Sequence, residues 1–457
     1  MTRTEARLGR GRVLILTICL VILAAVCGRE AWGYVEAQRF HRLVEAIAAR
    51  GEPTNEYRAR ERPPGGDTGT AAPHAARHYA AAAELLIRRP EWNTAVLAGL
   101  RAAHDGTLGD TETRGHIAAF AVENADALRL VRDARTLPFH GFRLPRRFRF
   151  SPDITLSYLL PAAAMARVAA GDGDGALAHV GDLIGLLRTT ASEGSFGMIY
   201  PGRSLEQAVV LTGLTLRLAP PSSAALAELD TLLTPAAEMD TMARSFQIDR
   251  ALFIDQVWQH LRTGRSLTDD NWAVSFAQSP WLHHRINGGL ERFNLLVAAA
   301  RTPWSERLEA LDAAARRVPR IETTPLRRGL LRNLERLLDS GHHQSAARHA
   351  ARQAIMARVL RTVVAIELYR RLEQTLPDDL ADLGDPARVA DPLAASPLQY
   401  RREQDGYVVY GVGANGQDDG GDLGVLTNPH AIGWWIPPDD APDWGLRVRL
   451  PDAAPTQ

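Results

Sequence analysis

The run Val13–Cys27 (VLILTICLVILAAVC) constrains this chain more than any other stretch. It carries no charge, and nothing else in the sequence approaches its apolar density. A bilayer core takes roughly 20 apolar helical residues, with a lower limit near 17. Val13 to Gly28 is slightly short, so a cleaved signal peptide has to be weighed against a retained anchor. Cleavage prefers small residues just before the cut, and Ala24-Ala25-Val26-Cys27-Gly28 offers no clean pattern of that kind. A lipoprotein reading makes Cys27 the lipidated residue, but Val26 is too bulky for the position before it. Trp32 and Tyr34 suit an interfacial aromatic belt. From Ala31 to Arg50 the chain continues with helix formers and no proline. The run therefore reads as a signal anchor over 13–28. Arg3, Arg7, Arg10 and Arg12 precede it, which puts the tail 1–12 in the cytoplasm and residues 29–457 outside.

Composition narrows the chemistry. The chain has 53 basic and 53 acidic residues, so net charge gives no reason to expect nucleic acid or acidic lipid as a partner. Cys19 and Cys27 both fall in the apolar run, which leaves the soluble part without disulfide or thiol chemistry. Every basic residue is arginine. The absence of lysine excludes a Schiff-base lysine, a P-loop lysine and Ser-Lys hydrolysis.

Beyond the anchor, 29–60 reads as a helical extension, and 61–73 (ERPPGGDTGTAAP) has the composition of a linker or long loop. Residues 74–344 read as an irregular all-α domain. Helices are expected at 76–89, 91–103, 112–135, 153–170, 175–191, 204–218, 222–233, 237–262, 289–301, 303–317 and 324–340. The joint Gly171-Asp172-Gly173-Asp174-Gly175 has the left-handed glycine and capping carboxylate that a helical hairpin uses. No second copy appears at a fixed period, so a regular repeat array is not supported. Leu226, Leu229, Leu232 and Leu233 form the stripe of an amphipathic helix. Trp258, Trp272, Trp281 and Trp304 read as packing anchors.

The character changes after Ser345, where a long helix is expected to end before Thr375. Two β-type runs follow, 398–401 and 407–412, joined by the turn Gln404-Asp405-Gly406. A Gly/Asp loop comes next (GANGQDDGGD, 413–422), and the remainder, 428–457, is rich in Pro and Trp. The expected fold is mainly α, with one N-terminal transmembrane helix and a small C-terminal α+β module built on an antiparallel hairpin.

Residues 353–422 resemble the C-terminal half of major pseudopilins of type II secretion systems. The matching elements are Leu376-Pro377-Asp378-Asp379-Leu380, Asp391-Pro392, Pro397-Leu398-Gln399-Tyr400, Gly406-Tyr407-Val408-Val409-Tyr410 and Gly413–Gly421. The resemblance implies a small antiparallel sheet leading into a loop that holds calcium. The N-terminus departs from that family: Gly11 is followed by Arg12, and Leu16 stands where processed pseudopilins carry glutamate. The chain therefore does not read as a filament subunit.

The best candidate site is the loop Asn415–Asp422. Calcium takes six to eight oxygen ligands, and Asn415, Asp418, Asp419 and Asp422 could supply four of them. The spacing is not that of an EF-hand. His283-His284 and His342-His343 are adjacent pairs that cannot chelate from one helix face, and no H-E-x-x-H or C-x-x-C spacing exists. Gly194-Ser195-Phe196-Gly197 lacks the nucleophile-elbow spacing and reads as a loop. Glu238, Asp240, Arg244, Asp249 and Arg250 share an acidic helix, on which a surface ion pair outweighs glycosidase chemistry. The expected function is a non-enzymatic interaction or scaffold protein of the bacterial inner membrane, with a protein partner in the envelope. The competing expectation is a carboxylate-dependent envelope hydrolase.

Overall fold

The computed structural model describes residues 3–55, 75–137, 152–190, 194–238, 242–263, 280–317, 340–394, 396–413, 415–423 and 443–450. The chain is mainly helical, with one long apolar helix at the N-terminus and a small three-stranded antiparallel sheet near the C-terminus. In chain order the elements are α1 (Arg3–Ala49), α2 (Ala75–Leu85), α3 (Pro90–His104), α4 (Thr111–Glu123), α5 (Ala125–Ala134), α6 (Pro152–Ala169) and α7 (Gly173–Thr190). They continue as α8 (Gly194–Leu218), α9 (Ser223–Glu238), α10 (Met242–Thr263), α11 (Pro280–Ala299), α12 (Trp304–Arg317) and α13 (Ser340–Glu373). A short helix α14 (Pro386–Val389) precedes strands β1 (Gln399–Glu403), β2 (Gly406–Gly411) and β3 (Trp444–Arg449). The expected linker at 61–73 and helix at 324–340 lie outside the described residues, except Ser340, which opens α13.

The chain divides into two units, each discontinuous in sequence. Unit 1 takes residues 1–59, 249–296 and 314–339; unit 2 takes 60–248, 297–313 and 340–457. In unit 1, α1 runs unbroken from the apolar run into a partly buried second half. Leu16, Ile18, Leu20, Val21, Ile22, Leu23 and Val26 are exposed, whereas Phe40 and Ile47 are buried. Phe40 meets Trp258 edge-on at 5.5 Å, and Phe253 meets Phe293 at 5.6 Å. Arg250 is fully buried beside Glu52 at 2.7 Å and Asn294 at 2.8 Å. A buried guanidinium is tolerated only when paired in this way.

Unit 2 is built around α6, α7, α8, α9 and α13: α7 packs on α6, α8 and α9, α13 packs on α8 and α9, and the sheet rests on α8 and α13. The α6–α7 hairpin turns where expected. Gly171 has φ of 73°, and Asp172 accepts from Gly175 N at 2.8 Å. The leucine stripe of α9 also holds, with Leu226, Leu229 and Leu233 buried and Leu232 packed at the margin of the core.

Three expectations are corrected. The stretch expected as one helix over 112–135 breaks at Asn124. Its side chain accepts from Ile87 N and donates to Ile87 O and Phe120 O. Helix α9 passes through Pro235 instead of stopping there. Gly194–Gly197 is the first turn of α8, not a loop.

The sheet has order β1-β2-β3, antiparallel throughout, with Tyr400 opposite Val409 and Tyr407 opposite Val448. The two strands read from the sequence are present, and β3 joins them as a third. Central β2 is buried along its length and packs on α13, while β3 packs on both α8 and α13. A Cβ at Gly406 would lie 1.9 Å from Val448 O, so glycine is required for strand closure there. Beneath the sheet, Tyr407 donates to Glu367 of α13 at 3.0 Å, and Arg370 holds the same carboxylate at 2.7 Å.

Candidate functional site

The Gly/Asp loop leaves the end of β2, and local bonds set its path. The buried carboxylate of Asp391 accepts from Leu393 N at 2.8 Å and from Val412 N at 3.1 Å. It therefore ties the Asp391-Pro392 turn to the first residue after β2. Burial pushes the Asp391 carboxyl above the usual carboxylate range, against the pull of these N–H donors. Pro377 O takes Tyr400 Oη at 3.0 Å and Arg402 Nε at 2.9 Å, which fastens the Leu376–Leu380 segment to β1.

Within the loop, Asn415 donates to Asp419 at 2.9 Å and accepts from Gln417 N at 3.0 Å. Asp418 accepts from Gly420 N at 2.8 Å and from Tyr410 Oη at 3.1 Å. Burial and the Asp418 carboxylate push the Tyr410 phenol up to about 12. Gly420 and Gly421 both take positive φ, 72° and 77°, which turns the chain back on itself. That turn brings Gly421 N to Asp443 at 2.8 Å.

Asp443, just before β3, is the residue the sequence reading missed. It is fully buried, and its Oδ1 accepts no hydrogen bond among the described residues. Burial raises its pKa, and the Asp418 and Asp419 charges add to that rise. The structure thus gathers Asn415, Asp418 and Asp419 around one turn and adds Asp443 beneath it. Asp422 is exposed at the loop's far end. Among the described residues no three His, Cys, Asp or Glu side chains form a metal shell. Arginines also border the loop: Arg401 donates to Gly420 O at 3.0 Å and Arg447 to Gly421 O at 3.2 Å. Their positive charge opposes a cation, and the orphaned Asp443 oxygen favours one.

The remaining candidates divide. Asp240 lies outside the described residues, as does the Glu238 side chain. His343 is buried edge-on to Phe246 at 5.6 Å, as a packed core histidine would be. His179 and Asp182 pair at 3.3 Å, with Arg132 on the same carboxylate at 3.0 Å. Asp182 is fully buried there and serves as an ion-pair centre between α5 and α7.

The second cluster, in unit 1, joins residues far apart in sequence. Glu36 of α1 is buried, and His284 Nδ1 of α11 lies 2.9 Å from its Oε1. Asn287 donates to Glu36 Oε2 and to Glu36 O, each at 2.8 Å. Trp32 Nε1 donates to Oε1 at 3.3 Å, and Arg39 stands 3.7 Å from Oε2. Burial opposes ionisation of Glu36, but these donors and the His284 charge outweigh it and lower its pKa.

No family model, curated protein or solved structure matches this chain. The functional reading therefore rests on the geometry above and on the sequence.

Proposed function

We propose that this chain is a single-pass, membrane-anchored scaffold of the bacterial inner membrane. Its N-terminus is cytoplasmic and most of the chain extracytoplasmic, where it engages a protein partner. One observation carries the reading. The most apolar stretch of α1 is wholly unburied, with seven large apolar side chains from Leu16 to Val26 open to the surroundings. In water such a stripe would be a severe aggregation liability, whereas in a bilayer it is the ordinary surface of a spanning helix.

The C-terminal module is proposed to be pseudopilin-like and to hold calcium on the Asn415–Asp422 loop, through Asn415, Asp418, Asp419 and Asp422 with Asp443 beneath the turn. These carboxylates do not form a shell as they stand, so the ion would draw them together. Bound calcium would supply charge neutralisation there and stiffen the loop. A secretion or pilus-type assembly is the proposed partner of that end, on the strength of the Asp391-Pro392, Tyr407–Tyr410 and Gly413–Gly421 pattern. The hydrolase alternative draws on the His284–Glu36 pair. Among the described residues, no nucleophile is hydrogen-bonded to that histidine.

Membranes washed in alkaline carbonate test the anchor, and in-membrane crosslinking tests the scaffold. Retention in the pellet together with one dominant crosslinked protein is expected. Release into the supernatant, or an uncrosslinked chain in every membrane preparation, contradicts the proposal.

A further inference from the structure

The Glu36–His284 cluster has a defined height relative to the apolar run. Helix α1 is continuous from Arg3 to Ala49, so height follows from a rise of about 1.5 Å per residue. A hydrocarbon core of ~30 Å takes about 20 helical residues. Counted from Val13, that length ends at Trp32, an exposed aromatic suited to the membrane edge. Glu36 comes one turn later, about 6 Å further along the axis. The headgroup layer on each side of the core is about 5–8 Å deep. Glu36 thus sits within that layer.

His284 is held at the same level. Its Nδ1 lies 2.9 Å from Glu36, its ring centre is 6.3 Å from the Trp32 ring, and Asn287 locks the next turn of α11 to Glu36. A carboxylate only accepts, so Nδ1 carries the hydrogen. The His284 side chain is 54% exposed. Arg29 is equally open, with Glu30 at 3.9 Å, and Arg39 is partly open, with Glu291 at 2.6 Å and Glu36 at 3.7 Å. Zero net charge for the whole chain does not bear on this local set.

From this placement we infer that the His284 end of α11 is a lipid-contact surface. It seats unit 1 on glycerophospholipid headgroups, with Arg39 donating to phosphate oxygens and His284 lying in the same layer. Arg29, three residues before Trp32, extends its long side chain from the core edge up to the same phosphates. The inference rests on α1 being a membrane span, and it adds that the segment after the span is docked to the bilayer surface.

The test uses the full chain in phospholipid nanodiscs, with Cys19 and Cys27 replaced by serine and single nitroxide labels at Leu20→Cys, Ala49→Cys and His284→Cys. Relative collision rates with oxygen and a nickel chelate report depth. The label at 20 should read as hydrocarbon, the label at 49 as water, and the label at 284 between them. If 20 reads as hydrocarbon while 284 matches 49, the docking surface is overturned and the anchor stands. If 20 reads as water, both fall. Because His284→Cys breaks the pair with Glu36, a second label goes at Gly288, where an added Cβ meets no atom within 4 Å. Lipids carrying gadolinium at the headgroup should shorten its relaxation time as strongly as that of a label at Trp32→Cys. No shortening at 288, with shortening at 32, overturns the inference.

Discussion

Tyr407 and Glu367 meet through a single hydrogen bond of 3.0 Å in which both side chains are fully out of solvent. It fastens the middle of the sheet to α13. Burial, reinforced by the Glu367 charge, drives the Tyr407 phenol far above its ordinary ionisation range, so it is a donor at neutral pH. Tyr407→Phe leaves Glu367 with Arg370 alone and should destabilise the fold by about 1–2 kcal/mol. Glu367→Ala strands both the phenol and the guanidinium and should cost more, about 2–3 kcal/mol, with Arg370 partly relieved by solvent. Chemical denaturation in detergent checks the order. A Tyr407→Phe chain less stable than Glu367→Ala contradicts it.

Asp391 is the joint between the Asp391-Pro392 turn and the Gly/Asp loop. Asp391→Ala removes acceptors from Leu393, Ala394 and Val412 together. The expected loss is about 2–3 kcal/mol, with faster amide exchange at Val412. Unchanged exchange there would mean the loop is held by other contacts.

These cases also show what the sequence makes legible. Local signals carry the α6–α7 turn and β1–β2, because Gly171-Asp172 and Asp405-Gly406 act within a few residues. Asn124 breaks a helix through Ile87, a partner 37 residues away that no local pattern announces. Strand β3 has a readable alternation, with Trp444, Leu446 and Val448 buried. It is one short strand in a Pro-rich setting, and its pairing with β2 is non-local. Asp443 inherits that difficulty, since it reaches the loop only once β3 is in place. The Glu36–His284 contact spans 248 residues and has no spacing to find.

Calcium and Asp443 are linked by sign. The folded state holds the Asp443 proton more tightly than the ordinary value of 3.8. Stability is thus lost as pH rises from about 4 through the raised pKa, and a bound cation should restore it. Asp443→Asn should stabilise the calcium-free chain at neutral pH and abolish any calcium-dependent rise in its melting temperature. With the native aspartate, a hundredfold excess over the dissociation constant adds about 2.7 kcal/mol. Identical melting of the native chain with calcium and with chelator removes the calcium proposal.

Glu36 runs the opposite way. Its pKa lies below the ordinary 4.5 in the folded state. Its contribution is therefore complete above about 4.5 and lost as pH falls through the lowered value. Hydrogen exchange should accelerate selectively around Glu36 and Asn287 in that acid range, and Glu36→Gln should show the acceleration already at neutral pH. Equal protection of the two chains at pH 7 would contradict a clamp at this position.

The membrane anchor with its N-terminus inside is the claim on which the rest depends, and topology reporters address it directly. Alkaline phosphatase, active only outside the cytoplasm, and a fluorescent protein, active only within it, are fused in turn after Gln457. High phosphatase activity from a full-length, membrane-pelleted chain, with a dark fluorescent fusion, is the expected result. Fluorescence with no phosphatase activity would place residues 29–457 in the cytoplasm and contradict the anchored, extracytoplasmic scaffold.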